Sequence, residues 1–235
     1  MSKVKVIGFS VSLDGFGAGT NQNIDNPLGT RGQELHTWMY PTKTFRKMIG
    51  KYPTKLKTSI GLDKKLSRDW IKDGGTEGID NDLTENSFEN VGAWIMGRNM
   101  FGPVRGQWRD DDWKGWWGEE PPFHVPVFVL THYVRNPIKM KGGTIFYFVT
   151  NGIKPALEEA KKVAEGKDIR VGGGVSAIRQ FLQAGYIDEI RFAFSPIFLG
   201  SGEHLFSGID LSNLGFTHLQ KINGEGATHI TLTKG

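Results

Sequence analysis

Residues 171–185, VGGGVSAIRQFLQAG, dictate a local architecture. Ile169-Arg170-Val171 is a short strand that delivers Gly172, Gly173 and Gly174 to a helix. Val175, Ile178, Phe181 and Leu182 share one face of that helix, and Gly185 is placed to stop it. A helix start presents free backbone N–H groups and the positive end of the dipole, a ready site for an anion. Glycines remove the Cβ atoms that would hold a pyrophosphate away. The spacing is not the GxGxxG dinucleotide fingerprint. A tight strand–helix turn without a ligand is the alternative.

The surrounding pattern sets the fold class. Ala93 to Met96, Pro126 to Thr131 and Thr144 to Val149 are compact apolar strands. Ala156, Leu157, Ala160, Val163 and Ala164 recur at helical spacing, and Ile190, Phe192 and Phe194 alternate as a strand. Strands alternating with helices over 92–195 predict an α/β fold with a mixed, mostly parallel central sheet flanked by helices. Phe216–Ile222 and His229–Thr233, with Gly224 between them, predict an antiparallel C-terminal edge. At the other end, Ile7, Phe9, Val11 and Leu13 alternate as a half-buried first strand that closes at Asp14-Gly15. Residues 15–33, rich in Gly, Asn and Thr, read as a loop close to a ligand.

One domain over 1–235 is expected, since 235 residues suit a single core. Residues 43–72 hold ten Lys/Arg and two acids, whereas 73–90 hold six acids and no base. That reversal predicts a surface insertion at about 35–90. A solvated face is preferred to a nucleic-acid site, because no aromatic–basic motif accompanies it. Cysteine is absent, which excludes disulfides, thiolate catalysis and Cys-ligated zinc or iron–sulfur centres. No stretch nears the ~20 apolar residues of a membrane span. The opening apolar run is broken by Gly8, Ser10 and Ser12, so a strand rather than a leader is read there, and a cytoplasmic protein is expected. The net charge of +4 suits a phosphorylated small molecule. Asp110-Asp111-Asp112 lacks calcium-loop spacing and no HExxH occurs, so no metal is expected.

Ligands of open α/β sheets gather at the carboxyl ends of the strands. Gly97-Arg98-Asn99-Met100 stands at such an end, where Arg98 can fork onto a phosphate or serve as a surface ion-pair residue. Thr131-His132 adds a hydroxyl and an imidazole at the same edge, or an exposed loop.

The segments FSVSLDG, IMGRNMFGP, PVFVLTH, FVTNGIKPALEEA, the glycine helix and AGYIDEIRFAFSPIFLGSGEHLF, in this order, resemble the dihydrofolate-reductase-like superfamily. The nearer match is the reductase domain at the C-terminus of the RibD-type riboflavin-biosynthesis enzyme. The resemblance implies an NADPH-dependent reductase of a small heterocycle, of the kind that reduces 5-amino-6-(5-phosphoribosylamino)uracil. It places Arg98, with Asn99, at the adenosine 2′-phosphate. Leu130, Thr131 and His132 would flank the adenosine, and Gly172, Gly173, Gly174, Val175 and Ser176 would cradle the pyrophosphate. Asp14, at the end of the substrate-side strand, would hydrogen-bond a substrate ring or ribose, or close a turn. Glu203 is the second catalytic candidate. The chain departs from the RibD enzyme in lacking the cysteines of its zinc deaminase. It departs from the folate enzymes at Arg31–Trp38, where Glu34 stands in an unlike sequence. Dihydrofolate reduction and a non-catalytic nucleotide-binding protein are the alternative readings.

Residues 108–124 hold four of the seven tryptophans, as a stacking lid over a flat substrate or as a loop pinned to the core. Ile190, Phe192, Phe194, Ile197, Phe198 and Leu199 make an apolar stretch that predicts a homodimer face, or a central strand buried on both sides. A small-molecule substrate is the expected partner, with no nucleic acid and no membrane.

Overall fold

A computed structural model of the protein describes residues 2–50, 74–108, 110 and 112–235. The strands are β1 (Val4–Ser12), β2 (Phe16–Ala18), β3 (Val91–Gly97), β4 (Pro126–Leu130), β5 (Ile138–Lys139), β6 (Ile145–Val149), β7 (Asp168–Gly173), β8 (Glu189–Ser195), β9 (Glu203–His204), β10 (Phe216–Asn223) and β11 (Thr228–Lys234). The α-helices are α1 (Lys43–Gly50), α2 (Ile79–Glu85), α3 (Arg98–Phe101), α4 (Ile153–Val163) and α5 (Val175–Gln183).

Nine strands form one sheet in the order β10-β11-β8-β1-β7-β3-β4-β6-β5. The interior pairs β8·β1, β1·β7, β7·β3, β3·β4 and β4·β6 are parallel. Both edges are antiparallel, through β11 and β10 on one side and β5 on the other. This is the expected fold class. The two-residue β5 escaped sequence reading, as did the small β2·β9 sheet, because such segments carry no period.

The alternation read into the first strand is corrected. β1 lies between β7 and β8, and Val6, Ser10, Val11 and Ser12 are all buried, so it is a two-sided interior strand. Its register shifts between Ile7 and Phe9 around Gly8, whose φ is +66°. Leu13 falls beyond the strand and is exposed. Part of the stretch offered as a dimer face, Ile190 to Phe194, is also an interior strand. β8 lies between β1 and β11, with Ile190, Phe192 and Ala193 buried, and Phe198, beyond the strand, is exposed.

Helices α4 and α5 cover one sheet face with Ala156, Leu157, Ala160, Ile178, Phe181 and Leu182. The other face, over β3, β4 and β6, is closed by Phe101, Phe123 and the Trp108, Trp113 and Trp117 rings. The described flanks of the 35–90 segment pack inward: Leu35, Trp38, Tyr40 and Phe45 are buried. α2 is clamped to the β10–β11 hairpin, where the Asp80 carboxylate hydrogen-bonds His229 Nε2 at 2.7 Å and accepts the Gly226 N–H at 2.7 Å. Most of the basic stretch 43–72 lies outside the described residues. No helix among the described residues is long and apolar enough to cross a membrane.

Candidate functional site

The carboxyl ends of β3, β4, β6 and β7, together with β1 and the Trp-rich loop, border a cleft of about 750 Å³. Gly173 leads into α5 through a cis peptide bond to Gly174. A Cβ on Gly174 would meet no atom within 4 Å, so it would project into open space. No side chain caps α5, so the N–H groups of its first turn are free to bind an anion.

Arg98 opens α3 directly after β3 and lines the same cleft. Its guanidinium stacks on the Trp108 ring at 3.8 Å and lies 5.2 Å from the Tyr133 ring centre. The Nε and Nη2 N–H groups are buried without a hydrogen-bond partner among the described residues. Burial lowers its pKa, opposed by Tyr133 and reinforced by Arg135. The flat aromatic support holds a cation whose donors await an acceptor.

Asn99, Leu130, Thr131, His132, Gly172, Gly173, Gly174, Val175, Ser176 and Glu203 also line the cleft. A polar chain crosses it: Asn99 Nδ2 donates to Gln22 Oε1 at 3.1 Å, and Gln22 Nε2 donates to Glu203 Oε1 at 2.9 Å. The 15–33 loop is thereby tied to both α3 and β9. Arg179 on α5 braces the β9 side by donating to the carbonyls of His204, Leu205 and Ser207.

Asp14 is not brought to this site. It does not line the cleft, and its carboxylate accepts the N–H groups of Leu199 at 3.1 Å and Gly200 at 2.7 Å. Slight burial raises its pKa, but the Ser12, Gly200 and Leu199 hydrogen bonds outweigh that and hold it below the ordinary carboxylate range. The turn-closing alternative describes this residue. Glu34 is also elsewhere, in a two-pronged pair with Arg31 at 2.8 Å for each contact, and it lines no part of the cleft.

Two lining residues were missed in the sequence. Arg170 is 8% exposed and lies opposite Trp94 in the β7·β3 register. Its guanidinium stacks on Trp94 at 4.1 Å, donates to Ile7 O at 2.7 Å, and also bonds Ser87 O. Burial, reinforced by Arg191, lowers its pKa to about 9. An arginine inside an apolar strand was the available signal. His36 ends a short 3₁₀ turn, and burial lowers its pKa to about 4. Its Nδ1 lies 3.1 Å from Ser10 Oγ, which also accepts the Trp38 Nε1–H at 2.9 Å. Indole only donates, which leaves the Ser10 hydroxyl one further lone pair and its proton, so it can either donate to Nδ1 or accept from it.

The Trp-rich loop is both pinned and cleft-lining. Trp116 and Trp117 line the cleft, while their indole N–H groups donate to Met100 O at 2.8 and 2.9 Å.

A parallel α/β sheet here brings uncapped helix N–H groups and an arginine with unpartnered donors, among the described residues, to the same strand ends, an arrangement able to take an anion. The chain belongs to the RibD C-terminal domain family, whose model matches residues 6–227. The uncharacterized protein YyaP of Bacillus subtilis (strain 168) is 44% identical over 94 residues, which is 37% of this chain and 48% of that protein. The chain thus matches about half the length of that curated relative. A putative riboflavin biosynthesis protein from Shewanella sp. PV-4 shares the fold at a TM-score of 0.51 with 20% identity, over 100% of this chain and 99% of that one. Dihydrofolate reductase from Enterococcus faecalis, complexed with NADP(H) and RAB-propyl, gives a TM-score of 0.42 at 16% identity over 67% of this chain and 83% of that one.

Proposed function

We propose that the protein is an NADPH-dependent reductase of a small cyclic substrate, as membership of the RibD C-terminal domain family suggests. The observation that carries the reading is Arg98. Its Nε and Nη2 donors are buried in the cleft with no partner among the described residues, on an aromatic support. An adenosine 2′-phosphate, dianionic near neutral pH, fits that fork. The free first turn of α5 and the open space at Gly174 fit a pyrophosphate. Leu130, Thr131 and His132, at the end of β4 on the far side of β3 from β7, also line the cleft and would flank the adenosine.

Bound there, the reduced nicotinamide supplies a hydride. The protein's own work is placement. Arg98 and the α5 N–H groups fix the anionic arms, and the Asn99–Gln22–Glu203 chain holds the loop over the cleft. The aromatic walls limit water near the reacting atoms. Glu203 is the one carboxylate lining the cleft among the described residues, and its Gln22 bond orients it. It is placed to position a proton-bearing water rather than to act as a nucleophile. The folate reading has no support from Glu34, which is committed to Arg31 outside the cleft.

The test is equilibrium binding of NADPH to wild type and Arg98→Ala. The reading expects a loss of NADPH affinity on removal of Arg98. Unchanged affinity would refute it.

A further inference from the structure

β1 and β7 are neighbours in the sheet, yet they pair only at Val4 with Ile169 and Lys5 with Arg170. Beyond that point β1 stays beside β8 as far as Ser12, and β7 stays beside β3 as far as Gly173. The sheet therefore opens into two lips. Gly8, Phe9 and Ser10 lie on one, Gly172 and Gly173 on the other, and all five line the cleft. Backbone groups that face across such an opening have no ladder to join and are left for a side chain or a ligand.

Arg170 stands where the opening begins, and its side chain spans it. Nη2 donates to Ile7 O on β1 at 2.7 Å, and Nη1 donates to Ser87 O in the 3₁₀ turn that leads to β3. The Trp94 ring on β3 supports the guanidinium at 4.1 Å. One side chain thus ties three strands together where two of them part. The register of β1 shifts at this point, and a Cβ on Gly8 would come within 3.4 Å of Arg170 Nη2. Arg170 has no carboxylate partner among the described residues, and its buried Nε has no hydrogen-bond partner among them either. An unpaired buried guanidinium is a poor stabiliser of a core, where an apolar side chain of like length costs less. What it supplies is a planar fork that holds two carbonyls in fixed directions. Further along the opening, a Cβ on Gly173 would stand 3.3 Å from the Phe9 ring. A small change in the spacing of the lips therefore alters what fits between them.

We propose that Arg170 is a positioning residue: by bridging β7 to the Ile7 carbonyl it sets the spacing of the β1 and β7 lips, and that spacing seats the ring end of the cofactor. The proposal rests on the NADPH reading. That reading puts the adenosine beside β4, the 2′-phosphate after β3 and the pyrophosphate after β7. The next strand in the sheet is β1, so the ring end meets the opening between β7 and β1. Arg170 acts through the lips and not on the anionic arms. It stands opposite Trp94, three residues before Gly97 and therefore about 10 Å of strand away from the start of α3.

The experiment titrates wild type, Arg170→Met and Arg170→Lys with two ligands: NADPH, and adenosine 2′,5′-bisphosphate, which carries the adenosine and the 2′-phosphate but no nicotinamide. Amide hydrogen exchange over residues 6–10 is followed in the ligand-free proteins. Arg170→Met binds NADPH at least about 10-fold more weakly, the worth of one hydrogen bond at the ring end, and binds the bisphosphate as wild type does. Its residues 6–10 exchange faster. Arg170→Lys keeps a donor for Ile7 O and falls between the two. Equal loss of both ligands would make Arg170 a general prop of the fold and overturns the proposal, as does unchanged NADPH binding in Arg170→Met. In wild type, NADPH bound no tighter than the bisphosphate shows that the ring end has no seat and overturns it even if Arg170→Met fails to fold. If wild type binds neither ligand, the NADPH reading fails by itself. Exchange over residues 6–10 then still judges Arg170, and an unaltered rate in Arg170→Met overturns the bridge.

Discussion

Gly174 permits a test in which folding and binding separate. The position has φ −72° and ψ −168°, open to any L-residue, and a Cβ there meets nothing within 4 Å. A valine therefore fits the empty protein and fills the space in front of the first turn of α5. Keeping a pyrophosphate from two backbone N–H groups removes two charge-assisted hydrogen bonds, each worth about 1.5–3 kcal/mol. The loss is about 3–6 kcal/mol, or roughly 100- to 10,000-fold in NADPH affinity. Gly174→Ala adds one methyl and falls between wild type and Gly174→Val. Glycine is a better helix N-cap than valine, so Gly174→Val costs up to about 1 kcal/mol of stability, or about 2–4 °C in Tm for a chain of this size. Isothermal titration with NADPH and thermal melting of the three proteins measure both quantities. A folded Gly174→Val protein that binds NADPH like wild type would show that the three glycines form only a turn.

Three further outcomes follow from the site. Arg98→Ala loses about 10- to 100-fold in NADPH affinity while NADH affinity stays level, measured by paired titrations; a parallel loss of both cofactors would place Arg98 away from the 2′-phosphate. Asp14→Ala lowers Tm, because the Leu199 and Gly200 N–H groups lose their acceptor, and leaves NADPH affinity unchanged; lost turnover with an unaltered melting curve would give Asp14 a catalytic role after all. His36 binds its proton near pH 4 in the folded chain, against about 6.5 unfolded, so the unfolded state holds more protons between those values. Its contribution is complete above about pH 6.5 and falls by up to about 3 kcal/mol as the pH drops to 4. Urea melts at pH 7 and 4.5 show this loss in wild type and a smaller one in His36→Gln; equal losses in both would assign it to other groups.

The sheet was legible wherever a strand was an apolar run. β3, β4, β6 and β7 lie between other strands, and their buried residues announce themselves without needing a period. The glycine helix was legible because strand, glycines and amphipathic face follow one another without a gap. β1 was harder, since the Gly8 bulge changes its register and its Ser10 is buried against Trp38, which is remote in sequence. Arg98 and Leu130 to His132 lie at strand ends, where position alone marks them. Arg170 and His36 were not legible in that way, because what distinguishes them is burial and the lack of a partner. Both properties arise only when Trp94, Ser10 and the 35–50 flank meet in space. Asp14 shows the converse: an acid at the end of the first strand looks catalytic until the Leu199–Gly200 backbone claims it.

The central claim is that the cleft is built for NADPH. The most direct measurement is a titration of the wild-type protein with NADPH and with NADH, followed by energy transfer from tryptophan to the nicotinamide. Trp94, Trp116 and Trp117 line the cleft and report its occupancy. The account predicts saturable binding of both, with NADPH tighter by at least about 10-fold, the worth of one charge-assisted contact at Arg98. Equal affinity for the two cofactors, or no saturable signal with NADPH, would contradict it.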